Sequence, residues 1–484
     1  MIKRYIADKD TTITNAYKLG LRTRATGSNM GGADSLEVFA LFNNQSVGSK
    51  EKSRILAQFP ITEIITARNA SEIPASGSVT FYLNFYNVRH HESLPKGATL
   101  VVQPVSRSWD EGYGKDLDNY TDPGIGQNGL GTNWVYASSN SSGLTQWSTE
   151  GGDYHSEPKF TQTFTEGDED LRIDITPLVE EWIAGTKDNY GLGIFITSSQ
   201  EDSSGSVSFY TKKFSGRSSE YFLSRPTIEA AWDSSLKDQR NFFYASSSNA
   251  SLADNSNTIV FYNYVRGALK NPPTTDLFVR FYTSASGGEE IVSVEPSYPI
   301  TASSYATGIL TASVVLDTSA SVVYDRWYLT TSGSDPIFTG EIHINDEYPQ
   351  MVNTNPDWSL KLRDLKDAYS RREQPRFRLH TRKRNYNPNA YTEFVAEPIV
   401  NVAEDVYYRV VRLTDDLEVV GYGTGSTNHT RLSYDASGSY FDFDMSILQA
   451  GYAYKFEFAI KENSSYRESH EVFKFRVEEE IGDF

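Results

Sequence analysis

Cysteine is absent from all 484 residues, which excludes disulfides, thiolate nucleophiles and cysteine-based zinc sites. Long Ala/Leu/Glu runs are missing too, so extended helices are not expected. No segment approaches the roughly 20 consecutive apolar residues of a membrane-crossing helix. The opening MIKRYIADKDTTITNAYK lacks the apolar stretch of about 7 to 15 residues that marks a secretory leader. The expectation is a soluble chain made in the cytoplasm, with no export signal and no membrane partner. Positive charge is in short supply: 45 Lys and Arg against 63 Asp and Glu leave a formal charge of −18. Such a field disfavours bulk binding to nucleic acid or anionic lipid.

What the chain does have is aromatic and strand-forming. With 31 Tyr and 26 Phe among Ser, Thr and Asn, the composition favours strands over helices and predicts a mainly β protein of tandem sandwiches. The length allows two to four domains, by the roughly 100–200 residues typical of each. In SVTFYLNFYNV, Val79, Phe81, Leu83 and Phe85 alternate with Thr80, Tyr82, Asn84 and Tyr86, the period of a half-buried strand. ITPLVEEWIAG reads as a short helix capped by Thr176, with Pro177 in its first turn and Gly185 ending it; Leu178, Val179, Trp182 and Ile183 share one face. Glu180 and Glu181 there read as dipole-favouring carboxylates. We place domain boundaries at 1–232, an N-terminal sandwich with a long polar loop over 110–169, at 233–345, an immunoglobulin-like sandwich, and at 346–484. The last opens with a predicted helix in DWSLKLRDLKDAYSRRE and continues as a second immunoglobulin-like sandwich, with alternating strands such as YAYKFEF.

The catalytic signatures that can be sought come back empty. Gly124, Gly126 and Gly129 spell G-x-G-x-x-G within YTDPGIGQNGLGTNW, but no strand precedes them and no helix start follows, so the dinucleotide reading fails. GYGTGST near Gly421 lacks the lysine of a phosphate loop. Neither G-x-S-x-G nor H-E-x-x-H occurs, and adjacent His90 and His91 would point to opposite faces of a strand. No enzyme activity and no cofactor are expected. Calcium is the one metal with candidate donors, at Asp116, Asp118 and Asp122 and at Glu166, Asp168 and Asp170; the first group departs from an EF-hand at Tyr120 and lacks its glycine.

Two groups of residues could bind something. Trp109, Tyr113, Tyr120, Trp134, Tyr136 and Trp147 crowd the polar loop. They form either a platform on which sugar rings stack or the packing that fixes the loop to the sandwich or to a protein neighbour. In PRFRLHTRKR, a strand would set Arg376, Arg378, His380, Arg382 and Arg384 on one face, against Phe377, Leu379, Thr381 and Lys383 on the other. Like charges so close require an acidic cover, either the chain's own carboxylates or a partner subunit. Nucleic acid is a third candidate, opposed by the net charge.

The runs VSRSWDEGYGKD, IDITPLVEEWIAGTKDNYGLGIFITSS and FYTKKFSGRSSEYFLSRPTIEAAW, in this order, resemble the DNRLRE-type β-sandwich domain over most of residues 1–232. Related domains are often attached to polysaccharide-active proteins, and the resemblance implies a possible polysaccharide ligand. The whole arrangement, with RFRLHTRKRNYNPNAYTEFVAEPIVNVAEDVYYRVVR and TRLSYDASGSYFDFDMSILQAGYAYKFEFAIKE behind it, resembles virion structural proteins of marine tailed bacteriophages. That resemblance implies a component of the neck, tail or outer decoration of a particle. Its partners would be other virion proteins or further copies of itself, in a symmetric assembly. The alternative is a carbohydrate-binding adhesin or module.

Overall fold

Alternation at period two sets most of the architecture. The computed structural model describes the chain except for residues 18–22, 45–46, 116–130, 141–142, 203–206, 274–275, 297, 332, 334, 346–357, 385–401, 463–464 and 480–484. The fold is mainly β, in stacked sheets. It divides into two compact units: Met1–Asp233 with the short segments Gly425–His429 and Ser446–Gln449, and Ser234–Thr424 with Thr430–Met445 and Ala450–Phe484.

In the first unit a four-stranded antiparallel sheet runs in the order Ile2–Ile6, Thr227–Ala231, Thr80–Phe85, Leu171–Asp174. A larger sheet runs Phe209–Ser215, Ser35–Phe42, Lys50–Gln58, Leu192–Ile196, Ala98–Pro104, Phe160–Phe164, with Lys9–Thr14 also pairing with Lys50–Gln58. Both sheets send side chains into one core. Phe81, Leu83 and Phe85 are fully buried there with Leu36, Val38, Ile55, Leu100 and Phe214, as the alternation predicts. Two helices, Ile61–Asn69 and Thr176–Ala184, add Ile64, Ala67, Leu178, Val179 and Trp182 to the same core.

The second helix starts differently from the sequence reading. Ile175 occupies the cap position. Thr176 is instead drawn to Asp174, donating its hydroxyl to Oδ1 at 2.6 Å, while accepting the Phe81 N–H at 2.8 Å. Gly185 ends the helix in the left-handed region, φ 70°. The first turn holds no acidic residue, so the dipole reading of Glu180 and Glu181 is corrected: Arg68 of the other helix donates two hydrogen bonds to Glu180, at 2.6 and 2.8 Å, and so ties the pair together.

The expected loop over 110–169 contains three strands. Tyr136–Asn140 and Gly143–Gln146 make a hairpin, and Phe160–Phe164 extends the large sheet beside Ala98–Pro104. The last was missed because Thr161, Gln162 and Thr163 are polar in succession, which hides the period of two.

In the second unit the largest sheet has the order Phe243–Tyr244, Phe338–Asn345, Val322–Tyr328, Leu277–Tyr282, Ile300–Ala306, Ile309–Leu316, Asn257–Tyr262. Its inner face buries Leu277, Val279, Phe281, Val323, Trp327 and Ile342 completely. Two further sheets follow. One runs Trp358–Arg363, Arg376–Lys383, Gly438–Asp442, Ser433–Asp435; the other runs Ala368–Ser370, Phe473–Glu478, Ala453–Glu462, Val406–Arg412, Glu418–Val420. Aromatic rings join these two sheets, with Tyr408 stacked on Phe441 at 4.6 Å and Phe377 edge-on to Phe456 at 5.1 Å.

The helix expected at the start of 346–484 is not there. Its described residues form the strands Trp358–Arg363 and Ala368–Ser370. In WSLKLR, Leu360 and Leu362 are buried on one face, and Ser359, Lys361 and Arg363 fall between them. Pairing with the arginine-rich strand rewards this period of two over the helical one.

Candidate functional site

The tryptophans of the polar region do not make an open platform. Trp109, Trp134 and Trp147 are 2%, 4% and 6% exposed and build a small core with Ile13, Leu56, Val105 and Ala137. Trp109 donates its indole N–H to Tyr190 O at 2.8 Å, and Trp147 donates to Asn133 O at 2.9 Å. Arg54 lies over the Trp134 ring at 5.3 Å and the Phe195 ring at 4.9 Å, and donates to both oxygens of Glu201. This second core covers the outer face of strand Leu192–Ile196, which is therefore buried on both sides. Of the other proposed sugar-stacking residues, Tyr136 is half-buried, Tyr113 is 73% exposed, and Tyr120 lies outside the described residues. The three tryptophans thus take the packing role and are corrected from candidate ligand contacts to core residues.

The arginine strand forms as Arg376–Lys383, with Phe377, Leu379 and Thr381 buried. Its charge is answered within the same unit. Arg376 donates to both oxygens of Asp442, its cross-strand neighbour, at 2.8 and 2.9 Å. Arg378 does the same to Asp435 at 3.1 and 3.0 Å, and Arg384 reaches Glu471 at 3.4 Å. Arg382 and His380 are exposed. Arg376 and Arg378 are therefore corrected from partner contacts to internal bidentate pairs. The sequence could not reveal Asp435 and Asp442 as partners, because they lie 57 and 66 residues away.

A cavity of about 530 Å³ opens in the first unit among Gly31, Gly32, Asp34, Glu111, Tyr113, Lys115 and Arg217. Asn29 fixes its frame. Its amide donates to Glu111 O and Thr132 O, and its Oδ1 accepts the Gly31 and Gly114 N–H groups. Gly31 is required here, since a Cβ would sit 2.1 Å from Glu111 O. Arg217 donates to both oxygens of Glu111 at 2.5 Å, so the two charges answer each other at the cavity wall. Behind them lies Asp10, fully buried. Its Oδ2 accepts the Arg217 N–H at 2.5 Å and its Oδ1 has no partner. Burial pushes its carboxyl up to about 7, opposed by the Arg217 backbone hydrogen bond and reinforced by Glu111. The G-x-G-x-x-G run and Asp116, Asp118 and Asp122 fall outside the described residues. Among the described residues, no cluster of three His, Asp or Glu is placed to hold a metal.

The feature that sequence reading missed is the outer face of the large sheet in the second unit. Strands Leu277–Tyr282 and Val322–Tyr328 pair so that Phe278 faces Tyr328, Arg280 faces Arg326 and Tyr282 faces Tyr324. The outward side of an antiparallel strand is ordinarily polar; here it carries aromatic and arginine residues, the composition of interfaces. Arg280 stacks between Tyr298 and Tyr328, at 5.2 and 5.0 Å, and Arg326 lies 3.9 Å from the Tyr282 ring centre. Phe278, Tyr282 and Tyr324 are half-buried, while Tyr298 and Ile337 are 41% and 45% exposed. The signal was available in LFVRFY and VVYDRWY, whose outward positions hold no serine, threonine or lysine.

No family model matches the chain, and no curated protein matches it. Among solved structures, alpha-2-macroglobulin of Escherichia coli in its native conformation aligns with 89% of this chain and 23% of its own, at 10% identity and a TM-score of 0.15. The trypsin-activated form aligns with 79% of this chain and 29% of its own, at the same identity and score. The chain spans about a quarter of the length of those proteins, and a likeness of this size carries no argument.

Proposed function

We propose that this chain is a non-enzymatic structural and interaction protein of a tailed-bacteriophage particle, and that it assembles through the second unit's large sheet. The observation that carries the assembly reading is the distribution of exposed apolar surface. Among the described residues, ten of the twenty exposed large hydrophobic side chains fall between Tyr244 and Phe338, under a quarter of the chain. Their gathering in one stretch of the chain supports an interaction role for this unit. Tyrosine and arginine on the neighbouring sheet face add the residue types that dominate binding energy. The particle itself rests on the sequence resemblance. The carbohydrate alternative needs exposed ring faces, and of its proposed residues it keeps Tyr113 and half-buried Tyr136.

The test is protein mass spectrometry on gradient-purified particles, combined with the substitution Ile337→Asp. The expected result is several copies of the chain per particle, and loss of incorporation for the variant with its thermal unfolding unchanged. Particles without the chain would remove the reading.

A further inference from the structure

Resting on that assembly reading, we infer that the Arg280–Arg326 pair is a receptor for a carboxylate presented by an acidic segment of another particle protein. The two guanidinium groups belong to residues directly opposite each other on adjacent strands, a placement in which like charges destabilise the sheet. Elsewhere arginines meet this problem with the chain's own carboxylates, as Arg376, Arg378, Arg240 and Arg409 do. Among the described residues, neither Arg280 nor Arg326 has a carboxylate within ion-pair distance. Each is held by backbone carbonyls and tyrosine side chains instead: Arg280 donates to Thr331 O and meets Tyr282 and Tyr298, and Arg326 donates to Ser284 O and Gly287 O and meets Tyr328. Both Nε atoms are buried without a partner. Two fixed positive charges thus persist on one sheet face of a chain whose formal charge is −18.

The occupant follows from the chemistry. Tyr298 and Tyr328 flank Arg280 and shield it from water, which strengthens its attraction for an anion. Arg326 is 9% exposed, so it acts through its field while half-buried Arg280 makes the contact. A guanidinium N–H donates a charge-assisted hydrogen bond to a carboxylate, and the surrounding tyrosine and apolar surface fits a protein segment that carries it. Exposed Glu290, opposite Tyr282 on a neighbouring strand, is an opposing charge that acts on Arg280, and it weakens the receptor without neutralising it.

The experiment uses the full chain in biolayer interferometry, against an immobilised Gly-Ser-flanked tetraglutamate peptide, its tetraglutamine counterpart and dextran sulfate. The expected result is binding to tetraglutamate only, weakened by salt. Arg280→Gln should lower the affinity about tenfold or more, and Arg376→Gln should leave it unchanged. Glu290→Gln, at an exposed position, should raise it about twofold, which tests the idea even where loss of the Thr331 contact unfolds the Arg280 variant. Equal binding of the two peptides, or an unchanged affinity in both variants, would overturn the inference. So would tighter binding to dextran sulfate that Arg280→Gln abolishes, which would make an acidic polysaccharide the occupant. Self-association of the chain lost in the same variant would overturn it in favour of a second copy. A chain absent from particles that still discriminates glutamate from glutamine would sink the particle reading and leave the receptor standing.

Discussion

Asp10→Asn should stabilise the first unit at pH 8 and leave it little changed at pH 4. Asp10 sits on strand Lys9–Thr14 without solvent contact. Its own N–H donates to Glu111 Oε1 at 2.8 Å, its Oδ2 accepts the Arg217 N–H, and its Oδ1 is unpaired. Asp8 and Lys9 precede it in the chain, and Glu111 and Arg217 are the charged groups packed against it. Burial is the largest cause of its high pKa, about 7 against an ordinary 3.8. A carboxyl whose folded value is raised contributes stability that is fully present below 3.8 and is lost progressively until the pH passes about 7. The gap is worth ~4 kcal/mol at most, by the rule of 1.36 kcal/mol per tenfold change. Asparagine keeps an acceptor for the Arg217 N–H and carries no charge at any pH. The assay is urea unfolding at a series of pH values, followed by tryptophan fluorescence, since five of the seven tryptophans, Trp109, Trp134, Trp147, Trp182 and Trp232, lie in this unit. Other carboxylates titrate over the same range, so the quantity to read is the difference between variant and parent. That difference should grow from pH 4 to pH 7 and then level off. A difference independent of pH would show that the Asp10 charge is not felt, and would refute the reasoning.

Two further substitutions test the second core. Trp134→Ala should cost ~3–5 kcal/mol, as truncation of a buried aromatic does, and thermal unfolding should show it; retention of full stability would mean the ring is not part of the core. Gly193→Ala places a Cβ 2.0 Å from Tyr154 Cε1, so it should cost ~1–3 kcal/mol through overpacking. Adding Tyr154→Phe should not rescue it, because the ring itself is the obstacle, whereas Tyr154→Ala should recover part of the loss in a double-mutant cycle.

Legibility divides along a physical line. Where one face of a strand is apolar and its neighbour is wet, as in Val79–Phe85 or Phe377–Thr381, the period of two appears in the residues themselves and locates both strand and core. Where burial comes from a second layer, the sequence is ambiguous. Leu192–Ile196 reads as alternating, yet both its faces are buried, because Tyr154, 39 residues before Gly193, lies over that glycine. The same long-range dependence misled the site reading. Tryptophans in a polar stretch look available until the hairpin and Arg54 close over them, and an arginine row looks unpaired until Asp435 and Asp442 arrive on the two paired strands folded beside it. In both cases the chain supplied the missing partner itself. Arg280 and Arg326 differ because the same folding set them against each other and brought no carboxylate to them among the described residues. The partner absent from this chain is therefore better sought at that less conspicuous pair than at the row of four arginines that stands out in the sequence.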